Sequence, residues 1–297
     1  MTGFPIKTDA LLEDLARAVG TPISPRMRRF YTAFSDEFEH FAEFGMRLHP
    51  PALACMTLGP SQEFGQAVSD FVREEFTEEE ELHQELARLQ LDLDNWMLAR
   101  LMSDAEGNDE LGIYFRRPMS VQQAVRWLES RGVSEAEQTA VIHLGRLLGT
   151  TRAGIVALSL SPGRPIFHKV YLHVRGAPYR VDDHLDMLSS VFEHFQIPSR
   201  YWRQLLTGFQ TLGPSGPGDI FVSTTLGDGD AFQTVKLDMF QVNLLALEEL
   251  LKGCDLLDTT HGSPAAVGKR LGLMTAEHCG LGFSREGCSL TTYFVRK

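Results

Sequence analysis

Eight residues, Phe167-His168-Lys169-Val170-Tyr171-Leu172-His173-Val174, alternate in a way that few folds accept. Side chains along a strand point to opposite faces in turn. Val170, Leu172 and Val174 share one apolar face, and Phe167, Lys169, Tyr171 and His173 share the other. A Lys, a Tyr and a His on the inward face of an ordinary sandwich would be costly to bury. The strand therefore reads as a wall whose back packs on helices and whose front lines a polar cavity.

The pattern recurs. Residues 155–161 and 167–174 flank the turn Pro162-Gly163-Arg164-Pro165, a hairpin signal. A second pair, 220–226 and 233–240, flanks Gly227-Asp228-Gly229-Asp230, and a third, 279–284 and 289–295, turns at Glu286-Gly287. The hairpins start near 155, 220 and 281, intervals of 65 and 61 residues, so the unit is a hairpin plus one or two helices. Helices are expected over 181–195, 199–211, 242–253 and 264–271. Upstream, 120–131 and 134–148 read as helices, each opened by a Ser cap and closed near Gly132 or Gly149. Residues 111–116 read as a strand that places Tyr114 and Arg116 on one face.

The first 103 residues read as mainly helical. Helices are expected over 8–19 and 25–45, the second with a core stripe of Met27, Phe30, Tyr31, Phe34, Phe38 and Phe41. Pro50-Pro51 breaks the chain, residues 52–58 form a short strand, and 64–102 hold two helices. The strands 52–58 and 111–116 would then make a fourth hairpin around a helical insertion. The whole chain, 1–297, is read as a single domain.

In every hairpin one face is aliphatic and the other carries Lys, Tyr, Ser, Thr or Asp. Val235, Leu237 and Met239 oppose Thr234, Lys236, Asp238 and Phe240, and Leu290, Thr292 and Phe294 oppose Thr291 and Tyr293. Two α+β arrangements satisfy this. One is an open antiparallel sheet with helices on one side and water on the other. The other is a closed antiparallel barrel with a polar lumen and an outer ring of helices, which removes the edge strands. Hairpin strands are antiparallel, so a parallel βαβ sheet is excluded. No GxGxxG, GxxxxGK[ST] or GxSxG motif supports a nucleotide site or a hydrolase elbow.

Net charge narrows the partners. At −11 the chain is no nucleic-acid binder held by a broad basic surface, although an acidic shell leaves room for a small cationic pocket. Cys55, Cys254, Cys279 and Cys288 show no metal-ligand spacing and read as reduced core residues. Without a signal-like segment or a long apolar run, no membrane role is expected and the cytoplasm is the default location.

The hairpin repeat and its lysines resemble the aromatic prenyltransferases of the ABBA, or PT-barrel, fold. Length and pattern come nearest its indole and cyanobactin-type members. Lys169-Val170-Tyr171 looks like the family's Lys-x-Tyr strand, and Val235-Lys236-Leu237 looks like a second one. Residues 279–284 followed by Leu290-Thr291-Thr292-Tyr293-Phe294 resemble the last hairpin. Asp238 stands where a Tyr is usual and Thr234 where an Arg is common. The family barrel has five hairpins. The resemblance implies transfer of a dimethylallyl, geranyl or longer prenyl group from its diphosphate to an aromatic or peptide side-chain acceptor, as in natural-product biosynthesis and RiPP modification.

The resemblance also distributes roles. Lys169, Lys236 and Arg116 would hold the diphosphate, because a departing anion needs cations fixed in place. Tyr171, Tyr293 and Tyr114 would shield the allyl cation. Glu63 would be the base, with His173 and Asp238 as rivals on the lumen face. No tightly bound cofactor and no protein-held metal are implied, and magnesium is compatible with the reaction but not required. The other readings of the residues are a non-catalytic α+β module that binds a ligand or protein, and another enzyme with an anion pocket.

Overall fold

The computed structural model describes residues 8–48, 51–77, 80–90, 96–174, 182–203, 220–227, 234–253, 263–285 and 287–296. Ten strands are present: β1 (Ala42–Arg47), β2 (Ala52–Pro60), β3 (Trp96–Asp104), β4 (Asp109–Ser120), β5 (Arg152–Leu160), β6 (Phe167–Val174), β7 (Ile220–Leu226), β8 (Thr234–Asn243), β9 (Thr275–Ser284) and β10 (Cys288–Arg296). They close into one antiparallel barrel in the order β1-β10-β9-β8-β7-β6-β5-β4-β3-β2. The closing seam is β1, which pairs with β2 on one edge and β10 on the other, with Gly45 opposite Tyr293. No strand edge of the barrel is left for water to satisfy, so the barrel arrangement holds and the open sheet does not.

Five hairpins build the barrel, and the two that sequence reading missed contain β1 and β3. The expected helix over 25–45 is instead α2 (Pro25–Ala33) and α3 (Ser35–His40). Phe41 then turns extended, at φ −146° and ψ 120°, and the chain enters β1. The expected helices over 64–102 are α4 (Ser61–Glu75) and α5 (Glu80–Gln90), followed by β3. Met97, Leu98, Ala99, Arg100 and Leu101 favour helix intrinsically. They form a strand because both edges are taken, by β2 and by β4. Residues 52–58 therefore pair with β1 and β3, and not with 111–116 as expected.

The remaining helices lie where capping chemistry puts them. The Ser120–Gln123 pair caps α6 (Val121–Glu129) and the Ser134–Glu137 pair caps α7 (Glu135–Leu147), each a complete capping box. Then come α1 (Thr8–Val19) at the start of the chain, α8 (Asp182–His194), α9 (Leu244–Gly253) and α10 (Pro264–Leu271). Ser263 caps α10, and left-handed Gly272 ends it. The rest of the expected 199–211 helix, most of the Gly-Asp-Gly-Asp turn and Cys254 lie outside the described residues. Cys55 and Cys279 are free and buried.

Period-2 alternation now has a physical meaning. Phe44, Ile113, Leu158, Val170, Leu172, Val235, Leu237 and Phe294 all point outward into the layer between barrel and helices, and all are buried. This layer is the hydrophobic core, and the opposite faces are released to build a lumen. Leu172 is fully buried there. Leu172→Ala should cost about 2–5 kcal/mol of stability, read from chemical denaturation. A loss under about 0.5 kcal/mol would mean that the wall is not packed against its helices.

Candidate functional site

The inward faces converge on a cavity of about 270 Å³ near one end of the barrel. Its wall takes Glu43 from β1, Leu58 from β2, Arg100 from β3, Tyr114 and Arg116 from β4, Tyr171 from β6, Lys236, Asp238 and Phe240 from β8, His278 from β9 and Tyr293 from β10. Phe41, expected in the helical core stripe, also lines the cavity. Its displacement follows from the end of α3 at His40.

Below the cavity lies a partly buried ion cluster. Glu110 accepts a hydrogen bond from Arg100 Nη2 at 2.7 Å and another from Lys169 Nζ at 3.2 Å. Arg100 also donates to Tyr293 Oη at 3.1 Å and sits 5.4 Å from the centre of the Tyr114 ring. Burial opposes ionisation of Glu110, but Lys169 and Arg100 outweigh it and hold the carboxyl far below its usual range. Burial also lowers the Lys169 ammonium, and Glu110 opposes that shift. A second hollow, about 400 Å³ and lined by Arg47, Asp104, Glu110 and Arg164 among others, opens at the other end. Arg100 faces the first space and Glu110 the second, so their ion pair is the floor between them.

A second cluster sits in the cavity wall. Asp238 Oδ1 is 2.6 Å from Lys236 Nζ and 2.7 Å from His278 Nε2. Asp238 is 2% exposed. Burial works against its charge, yet Lys236 and the His278 hydrogen bond keep it ionised, below the ordinary carboxylate range. Gly280 opposite Asp238 makes room: a Cβ there would lie 2.6 Å from Lys236 Nζ and 2.8 Å from Asp238 Oδ1.

Aromatic rings complete the wall. His278 stacks between Phe240 (5.0 Å, 12°) and Tyr293 (4.8 Å, 7°). Phe240 meets Phe221 edge-on at 5.7 Å, and Tyr114 lies 6.0 Å from Tyr171. Burial pushes the Tyr114 and Tyr171 phenols up, so both stay neutral at neutral pH. Glycine again gives the rings their space, since a Cβ at Gly45 would fall 2.8 Å from Tyr293 ring carbons.

Arg116, Lys236, Asp238, Tyr114, Tyr171 and Tyr293 come together around the cavity. Lys169 shares their inward face but belongs to the ion cluster beneath, and His173 stacks on Phe221 (4.7 Å, 14°); neither lines the cavity. Glu63 is in a different place altogether. Strand β2 ends at Pro60 and α4 begins at Ser61, which carries Glu63 onto an exposed first helical turn away from the cavity lining. Besides Asp238, the wall holds a second buried carboxyl, Glu43, 3% exposed, with Oε1 lacking a hydrogen-bond partner among the described residues. Burial, helped by nearby Glu277, raises its pKa to about 8. Sequence reading placed Phe240 on the inward face without a role, and passed over Arg100, Glu110, Phe221 and His278. Alternation on β3, β4, β7 and β9 was the available signal for these residues. Among the described residues no three His, Cys, Asp or Glu side chains are grouped to hold a metal, and no helix is long and apolar enough to cross a membrane.

A closed ten-stranded antiparallel barrel, with polar lumen and outer helices, defines the PT-barrel fold of the ABBA prenyltransferases. Solved structures of this fold match the chain nearly end to end. NotF prenyltransferase superposes with a TM-score of 0.67 at 10% identity, covering 99% of this chain and 96% of that one. The 5-dimethylallyltryptophan synthase from Streptomyces coelicolor gives 0.60 at 14% identity, covering 96% and 95%. PriB, in a ternary complex with L-tryptophan and dimethylallyl thiolodiphosphate, gives 0.57 at 12% identity, covering 95% and 93%. In sequence, no family model and no curated protein matches the chain.

Glu43 makes the site's electrostatics testable. In the unfolded chain a Glu titrates near 4.3, but in the fold Glu43 keeps its proton to about 8. Between these values folding takes up a proton, so this group's contribution falls as pH rises. Glu43→Gln removes that slope. The Tm of the variant minus that of the wild type should widen steadily from pH 5 to pH 8 and then level off. A gap that does not change with pH would show that the carboxyl is not held protonated.

Proposed function

We propose that the chain is a prenyltransferase that moves a short prenyl group from its diphosphate to an aromatic or peptide side-chain acceptor. One observation carries this reading: one cavity, open to solvent at the exposed Arg116, joins three cationic side chains, Arg100, Arg116 and Lys236, to a wall of Tyr, Phe and His rings. Those are the two demands of allyl transfer. The cations would stabilise charge on the departing diphosphate. The rings would stabilise the allyl cation and exclude water. PriB in complex with L-tryptophan and a dimethylallyl thiolodiphosphate, and the S. coelicolor synthase in complex with DMASPP and Trp, support the same pairing of substrates.

The cavity favours the short end of the donor range. Its floor is the Arg100–Glu110 ion pair, and a longer prenyl tail would have to bury hydrocarbon against it. Dimethylallyl diphosphate is therefore the expected donor. Arg116 and Lys236 would meet the diphosphate, with Arg100 behind them. Lys169 would act through the cluster with Glu110, which keeps Arg100 in place. Glu43, with its unpartnered oxygen in the wall, would hydrogen-bond an N–H or O–H of the acceptor.

A second reading has an observation of its own. Both lumen lysines already have carboxylate partners, Glu110 and Asp238, as a wall that only binds a ligand would also have. One experiment separates the two. The chain is incubated with dimethylallyl, geranyl and farnesyl diphosphates against tryptophan, indoles, phenols and peptides, and products are read by mass spectrometry. Dimethylallyl transfer is expected, and Lys236→Ala should lower kcat/KM by about 10²–10³. No product with any pair, together with no protection by the diphosphates against thermal unfolding, would sink the prenyltransferase reading.

A further inference from the structure

Prenylation leaves the acceptor with one proton too many, and the wall holds a group built to take it. We propose that His278, oriented by Asp238, is the proton acceptor of this site. The inference rests on the prenyltransferase reading and goes beyond it by assigning the proton transfer, which that reading leaves without a residue.

Four observations support it. First, the tautomer is fixed. Asp238 is an ionised carboxylate and can only accept, so His278 Nε2, 2.7 Å away, must carry the hydrogen. That leaves Nδ1 as a lone pair with no partner among the described residues, on a ring that lines the cavity. Second, the ring is held rigidly. Phe240 and Tyr293 cover its two faces, so only its edge can meet a substrate. Third, the space is kept open by Gly280, where any Cβ would crowd Lys236 and Asp238. Fourth, the rival carboxyl is unsuited. Glu43 holds its own proton to about 8, whereas burial lowers the His278 pKa and leaves its ring neutral and ready to accept at neutral pH.

The step balances. The C1–O bond of the donor breaks and its electron pair leaves with the diphosphate. A π pair or heteroatom lone pair of the acceptor forms the new bond to C1. The acceptor's surplus proton passes to His278 Nδ1, and the imidazolium is balanced by Asp238 until the proton leaves to solvent. Asp238 also ties this step to donor binding. It shares Oδ1 between Lys236 and His278, and Lys236 and Arg100 lower the ring's proton affinity while Asp238 raises it. When the diphosphate draws Lys236 to itself, Asp238 is left to His278, and the base strengthens as the allyl cation forms.

The test uses the full chain and a donor–acceptor pair that the wild type prenylates. The charged and titratable groups around the ring are Asp238 and Lys236 on β8, Glu43 on β1, Arg100 on β3, Glu277 on β9 itself and Tyr293 on β10. His278→Gln should bind the donor as the wild type does, judged by thermal protection. Its product formation should fall by about 10²–10⁴, with the donor diverted to prenyl alcohol. The acid limb of the wild-type pH–rate profile should disappear in the variant. For an acceptor alkylated at carbon, deuterium at that carbon should now slow the reaction. Exogenous imidazole should restore product formation to His278→Ala. Asp238→Asn, which leaves the ring tautomer unset, should lose product in the same direction.

Wild-type product yield and pH profile in His278→Gln, with no isotope effect, would overturn the assignment while leaving prenyl transfer intact. Should neither His278 variant fold, the wild-type profile decides alone: a rate with no acid limb anywhere below neutral pH would overturn it. A wild type that makes no product with any pair overturns the prenyltransferase reading, and this inference with it.

Discussion

Closure of the sheet is the constraint on which everything else in this protein depends. A charged side chain on one face of an open sheet is simply solvated. In a closed barrel the same face becomes an interior, and every charge there needs a partner. The lumen shows the consequence directly: Arg100 and Lys169 share Glu110, and Lys236 and His278 share Asp238. Without the β1–β10 seam these clusters would be surface pairs of little energetic weight. The seam therefore does more than remove an edge. It converts an ordinary polar face into a low-dielectric site where position and charge matter.

The second half of the chain was legible because its turns are marked and its strands alternate cleanly. Pro162-Gly163, the Ser120 and Ser134 caps and the Gly132 and Gly149 stops announce where elements begin and end. On β6 and β8 each apolar residue has an outward neighbour in the core, so inward residues could be named from spacing alone. In the first hundred residues the entries into β1 and β3 lack that punctuation. Phe38, Phe41 and Phe44 keep helical spacing straight through the end of α3, and no Gly or Pro marks the switch to β1. Strand β3 is composed of helix formers and is made a strand by its two neighbours, a long-range fact that no local window contains.

Errors in element type became errors in site assignment. Read as part of a helix, Glu43 is one more solvated carboxylate in an acidic stretch, and the base falls to Glu63 on the family resemblance alone. Read as part of β1, it alternates with Phe44 and must point inward. Arg100 was hidden by the same mistake on β3. His278 was lost differently, because the expected strand began four residues late, at Cys279, whereas β9 starts at Thr275. Asp238 was visible as a departure from the family pattern. Its explanation, the partners Lys236 and His278, needed the β8–β9 register.

The two carboxylates give the lumen a distinct charge logic. A cation held alone in a buried pocket would pay a heavy desolvation cost before any ligand arrived. Glu110 and Asp238 remove that cost and fix Arg100, Lys169 and Lys236 in place, so the site is organised before binding. The same pairing sets a price on selectivity, since an anion must compete with a carboxylate already at 2.6–3.2 Å. A monoanion offers each cation no more than the carboxylate does. A diphosphate carries more charge and more acceptor oxygens, and on the proposed reading it would engage Arg116 and Lys236 together while leaving Glu110 to hold the floor. On that reading the internal acids would act as a threshold that a densely charged leaving group crosses and a simple carboxylate does not.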